Sequence, residues 1–156
     1  MVITEDFDIS GLCVPRSNFS WVHFLDVQLE RIDFSGSNLS QCNSEGVYFS
    51  YTNLNGVILA DATFKDNYME YCSCLHINAK ESRFYNCNFT FCDFHGANFD
   101  CCVFENCEFV ECGFDDTRFL SCKLENCKFD SCFKMKKELF KDSVVENIKI
   151  QENADV

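Results

Sequence analysis

Thirteen cysteines in 156 residues are the feature of this chain that could most readily do chemistry. Ten of them stand at positions that differ by multiples of five: Cys42, Cys72, Cys87, Cys92, Cys102, Cys107, Cys112, Cys122, Cys127 and Cys132. Thiols in such number are used for metal binding, for disulfides or redox exchange, or as small buried side chains. His23, His76 and His95 show no metal-ligand spacing with one another. The chain has no glycine-rich phosphate loop, nucleophile elbow or matched carboxylate pair. The count of cysteines is odd, and the N-terminal residues have neither a basic nor an apolar segment of the secretory kind, so a cytoplasmic protein with free thiols is expected.

What positions these residues is a period of five. Steps of five from Phe19 to Phe129 meet 23 positions, of which 20 are Phe, Leu or Met, without a slip of register. The column includes Phe84, Phe89, Phe94, Phe99, Phe104, Phe109, Phe114 and Phe119. Two residues before each lies a second column of small or β-branched residues, among them Val22, Val27, Ile32, Ala62, Ala97 and the ten cysteines. Neither a 3.6-residue helix nor a two-residue strand alternation keeps such a stripe on one face for over 110 residues. A coil of short sides, each ending in a turn, does so, and it is stable only because each coil covers its neighbour's apolar layer.

Units such as Ala97-Asn98-Phe99-Asp100-Cys101 and Cys107-Glu108-Phe109-Val110-Glu111 resemble the motif of the pentapeptide-repeat family. The resemblance covers residues 17 to 131 and reaches back to residue 7 through Ile9, Leu12 and Val14. It implies an all-β fold, a right-handed quadrilateral β-helix with four pentads per coil. Residues 1–16 would then form an N-terminal cap and partial first coil, and 17–133 about six coils, roughly 28 Å long at the ~4.8 Å spacing of paired strands. The spacing of Met135, Leu139, Val144 and Ile148 predicts a capping α-helix over 134–150, ahead of a disordered tail at 151–156. Some topoisomerase-directed relatives dimerise through a C-terminal segment, so a homodimer through this helix is an expectation of the resemblance.

Four pentads per coil place residues 20 apart above one another. Cysteines of the inner column then stack with parallel side chains, which suits neither a disulfide dihedral nor a tetrahedral zinc site, so they are read as small core residues. Cys101 faces outward, and Cys74 and Ala79 leave two large-residue slots underfilled within residues 72–81. Asn86, Asn106 and Asn126 form a column in which amides can bond from rung to rung. Arg31, Tyr48, Tyr51, Tyr68, Tyr71 and Phe91 fall on one side of the rod, a composition common in protein-binding surfaces.

The net charge of -12 excludes binding to nucleic acid through phosphate contacts. Within the later coils, Asp100, Glu105, Glu108, Glu111, Asp115 and Asp116 form a candidate acidic surface. Topoisomerase-directed members of the family, the Qnr and MfpA proteins, imitate duplex DNA, so the resemblance implies a protein partner such as DNA gyrase or topoisomerase IV. The alternative is a scaffold that binds another protein through the aromatic side. A rod filled by phenylalanine offers no pocket for catalysis, and no enzyme activity, cofactor, metal or membrane contact is expected.

Overall fold

A computed structural model describes residues 1–5, 7 and 9–151. The backbone winds as a four-sided parallel β-helix of about seven turns. One side is an eight-stranded sheet that starts at Val2–Ile3, continues through His23–Leu25 and its equivalents every 20 residues to Lys123–Glu125, and ends at Val144–Glu146. The next is a seven-stranded sheet from Gln28–Glu30 to Lys149–Gln151. The remaining two sides are single-residue bridges, one running Cys13, Asp33, Asn53, Ser73, Asp93, Gly113 and Phe133, the other Asn18, Asn38, Ile58, Asn78, Asn98 and Arg118. Eight paired strands at ~4.8 Å make a rod of about 34 Å. No helix among the described residues is long and apolar enough to cross a membrane.

Five residues close each side because three run extended and the next two turn the corner. At two of the four corners the turn is sealed by a bond such as Val57 N–H to Leu54 O, 3.1 Å. Corners carry a residue at positive φ, 22 of them non-glycine. That conformation costs an L-residue about 1–2 kcal/mol, and the interstrand bonds on either side must hold it. Gly56, at φ 65°, adopts it without that penalty.

The inner column forms layers of four rings. Phe84, Phe89, Phe94 and Phe99 meet edge to face around one coil at centroid distances of 5.4 to 6.1 Å. Phe104, Phe109, Phe114 and Phe119 form the next layer, lying over them with Phe84–Phe104 4.8 Å apart and Phe89–Phe109 4.6 Å apart. Edge contacts within a layer and offset stacking between layers are the two favourable arrangements of aromatic quadrupoles. The large-residue column has one polar member, Ser44, which is fully buried and whose hydroxyl has no partner among the described residues.

All thirteen cysteines are free thiols, eleven of them buried and two, Cys13 and Cys101, exposed. Those of the small column do more than fill space. Cys87, Cys107 and Cys127 donate to the carbonyls of Phe64, Phe84 and Phe104 in the preceding coil, at 3.4 to 3.5 Å. Ser37, Thr52, Ser82 and Thr117 make the equivalent bond at their own positions. The column takes small or β-branched side chains, and where it carries Cys, Ser or Thr the donor reaches that carbonyl. Burial pushes the Cys42 and Cys112 thiols up to about 12.

Residues 72–81 keep the 20-residue register, since Ser73 and Asn78 bridge both neighbouring coils. Cys74 and Ala79 are fully buried. The short side chains are felt locally: the Ile77 N–H to Cys74 O turn bond stretches to 3.5 Å, against 2.9 to 3.3 Å in its counterparts.

The C-terminal α-helix expected over 134–150 is not formed. Lys137–Phe140 makes one 3-10 turn, and Val144–Glu146 and Lys149–Gln151 extend the two sheets. Lys123 pairs with Val144, 21 residues on, so this coil contains one extra residue. The slip moves the inward column to Met135, Phe140, Val145 and Ile150, of which Met135 and Phe140 are buried. Met135, Leu139, Val144 and Ile148 thus belong to different columns, and Val144 points to solvent, 60% exposed. Their near-helical spacing was a by-product of the shifted pentads, and the dimer expected through a helix there has no helix to form it. Of the expected tail, residues 152–156 lie outside the described residues; Gln151 is in the last strand. The first coil slips in the same way, with Ile3 paired to Phe24.

Two outcomes follow from this core. Replacing Ser44 with Ala removes an unsatisfied buried hydroxyl and should raise stability in urea unfolding by about 1 kcal/mol, whereas Phe104→Ala should lower it by about 3–5 kcal/mol. Unfolded thiols titrate near about 8.5. Buried thiols raised above that value stay protonated in the folded rod while the unfolded chain loses protons, so stability is full below pH ~8.5 and falls as pH rises toward 12. Urea midpoints measured from pH 7.5 to 10.5 should decline over the upper part of that range; an unchanged midpoint would remove the burial argument.

Candidate protein-binding face

The aromatic side is built by two neighbouring columns. Tyr48 and Tyr68 are register partners in adjacent strands, with rings 6.4 Å apart and tilted by 40°. Three residues further on, at the corner, Tyr51, Tyr71 and Phe91 occupy successive coils, each at positive φ. Their rings stack nearly parallel, 5.0 and 4.8 Å apart. Arg31 continues the column, its guanidinium carbon 5.9 Å from the Tyr51 ring centroid, while it also pairs with Glu30 at 2.8 Å. A bulky residue in the left-handed region is strained, and stacking on the residues above and below offsets that cost.

Stacking also decides what the face can offer. Ring faces are spent on one another, so solvent meets ring edges and hydroxyl groups. The five rings are between 37% and 56% exposed. Glu70, which the sequence columns do not single out, accepts a hydrogen bond from the Tyr48 hydroxyl; that bond and burial push the phenol up to about 12. Tyr48, Tyr68, Met69, Glu70, Asn88 and Thr90 line a shallow cleft of about 220 Å³ beside the stack. The result is a flat, rigid strip with hydroxyl donors and one carboxylate, suited to contact with another surface.

The six acidic candidates do not share a side. Glu105 and Glu108 flank one corner, Glu111 the next, Asp115 and Asp116 the third, and Asp100 the fourth. Asp100 is buried at 7% exposure, paired with Arg118, and accepts from the Leu120 N–H at 3.0 Å. Glu108 is bridged by Lys128 at 2.9 Å. Asp115 faces His95 at 3.7 Å. A 20-residue step along the sequence puts these residues on one column or on adjoining ones, and the rotamers that pair them are seen only in the structure.

Between strands, the asparagine column is longer than the sequence reading allows. Side-chain hydrogen bonds of 3.2, 3.1 and 2.7 Å, each amide N–H donating to the amide oxygen one coil earlier, link Asn86, Asn106, Asn126 and Asn147, and the Asp66 carboxylate accepts from Asn86 at 2.9 Å. The last link crosses the coil with the extra residue, so the amides hold the slipped coil in place.

A family model for pentapeptide repeats (8 copies) matches residues 28–66, and a second (9 copies) matches residues 79–128; together they span more than half of the chain. The chain belongs to the pentapeptide-repeat family. The stretch between the two matches contains the Cys74 coil, where the large-residue column fails. No curated protein sequence matches this pentapeptide-repeat chain. Among solved structures it is similar to the plasmid-mediated fluoroquinolone resistance protein QnrB1, with a TM-score of 0.52 at 12% identity over 96% of this chain and 91% of that one. Weaker likenesses are to the pentapeptide repeat protein Rfr23 of the cyanobacterium Cyanothece 51142 (TM-score 0.32, 16% identity, 76% and 85% of the two chains) and to HetL of Nostoc (0.33, 8%, 97% and 86%). At 12% identity the likeness to QnrB1 establishes the fold alone.

The stack can be tested without a partner. Tyr71→Ala removes a ring that stacks on both sides, on Tyr51 and on Phe91, and should destabilise the rod by about 1–3 kcal/mol, while Tyr68→Ala should cost less than about 1 kcal/mol. Equal losses in denaturant titration would mean that the corner stack contributes nothing special.

Proposed function

We propose that this pentapeptide-repeat protein is a non-catalytic scaffold that engages a protein partner along the side bearing Arg31, Tyr48, Tyr51, Tyr68, Tyr71 and Phe91. The observation that carries the reading is the continuous stack Tyr51–Tyr71–Phe91, an exposed strip held in place before any partner arrives. Ordering side chains at an interface costs free energy on binding, and rings already locked by their neighbours have little left to lose. Tyrosine with arginine is the composition enriched at binding hot spots. Core layers packed ring against ring fill the interior of the coils from Phe84 to Phe119, which supports a role without catalysis, since catalysis needs a concave pocket in which to desolvate a substrate. The thiol columns, donated to backbone carbonyls, support a reducing, cytoplasmic setting.

A second reading is favoured by one observation, the net charge of -12 of a chain whose described residues wind into a rod of about 34 Å. Duplex DNA of that length carries about 20 charges, so the line density is of the order needed to imitate it and to occupy the DNA-binding surface of a type II topoisomerase such as gyrase or topoisomerase IV. The placement of Asp100, Glu105, Glu108, Glu111, Asp115 and Asp116 on four different corners, with Asp100 and Glu108 neutralised by Arg118 and Lys128, weighs toward the aromatic face.

A gyrase supercoiling assay, with and without fluoroquinolone and at two salt concentrations, separates the two. The scaffold reading expects no inhibition and no drug protection at micromolar protein. An effect that fades as salt rises would establish mimicry and displace the aromatic face, because binding to a basic surface through charge weakens steeply with ionic strength.

A further inference from the structure

We infer that His95, Asp115 and Asp116 form a surface site for a divalent transition-metal ion such as zinc. The three residues sit at the same corner of consecutive coils: His95 follows Phe94 in one turn, and Asp115 and Asp116 are the central residues of the turn stacked above it. One imidazole nitrogen and one oxygen from each carboxylate all lie within 4.8 Å of one another. Donor atoms around a zinc ion at 2.0–2.2 Å are separated by about 3.0–3.5 Å, so small side-chain rotations about χ1 and χ2 close the set. The backbone need not move.

Charge and surroundings favour a cation here. Two carboxylates and a neutral imidazole carry the charge that balances a divalent ion. Some acidic groups elsewhere on the rod are bridged by a lysine or arginine, Glu45 by Lys65, Asp100 by Arg118, Glu108 by Lys128 and Glu125 by Lys123. Among the described residues Asp115 is paired only with His95, and neither it nor Asp116 has a lysine or arginine within ion-pair distance. Gly113, in a column between Asp93 and Phe133, lines with His95, Glu111 and Asp115 an open groove of about 540 Å³ that gives an ion a way in.

A second histidine is built into the same corner. His76 stands edge-on to His95, ring centroids 5.4 Å apart. It fits because the next coil has glycine above it: a Cβ at Gly96 would come within 2.2 Å of the His76 Nδ1. The contact braces the His95 ring and brings a second imidazole beside the site. Imidazole with carboxylate selects zinc, cobalt or nickel over magnesium and calcium, which prefer an all-oxygen shell.

Equilibrium dialysis against zinc chloride tests the site. A chain carrying Cys13→Ser and Cys101→Ser removes the exposed thiols as competing ligands. In that background one equivalent of zinc should bind, His95→Ala and Asp116→Asn should each weaken binding at least tenfold, His23→Ala should change nothing, and millimolar magnesium should not displace the ion. Circular dichroism checks that each variant keeps its fold. The inference is overturned if zinc fails to bind in the double-serine background, or if it binds equally well after His95→Ala.

Discussion

Between its first and last coils, each coil of this molecule is held to the next by backbone hydrogen bonds at a constant offset of 20 residues, and the five-residue side makes that offset possible. Three extended residues and a two-residue corner return the chain to the same lateral position after four sides, so a large side chain always lands on a large side chain. The phenylalanine layers, the thiol column and the asparagine ladder are consequences of that one repeat distance. None of them is a separate invention of the sequence.

The offset also explains the polarity of the small column. A side chain two residues before the core position lies under the carbonyl of the core residue one coil earlier, 23 positions back. Cys, Ser and Thr all present a donor there, and Asn67 reaches the Ser44 carbonyl from an equivalent place at 3.1 Å. Cysteine dominates the later coils, where it combines a small apolar body with a weak donor. The thiols that first suggested metal or redox chemistry are thereby committed to the backbone, and a metal-binding set arises instead from outward residues that the stacking happens to join.

At both ends the rule bends without breaking. One extra residue enters the first coil and one enters the last, and in each case the pairing resumes at 21 in place of 20. The last coil shows what an insertion does to a reading of pattern: pentads displaced by one give apolar residues at intervals of four and five, which imitate helical spacing. A short 3-10 turn absorbs the added residue, and the sheets continue.

The sequence by itself determined the repeat, the identity of the inward columns, the burial of the cysteines and the side on which Tyr48, Tyr51, Tyr68, Tyr71 and Phe91 gather, because a strict period acts on each unit alike and needs no knowledge of distant contacts. Tertiary structure alone decided where the period slips, that Tyr51, Tyr71 and Phe91 turn their faces to one another, that Arg118 and Lys128 neutralise Asp100 and Glu108, and that His95 meets Asp115. The reason is physical. A column assignment says which side of the rod a residue occupies, but rotamers, ion pairs and the accommodation of one added residue depend on what lies in the coil above and below.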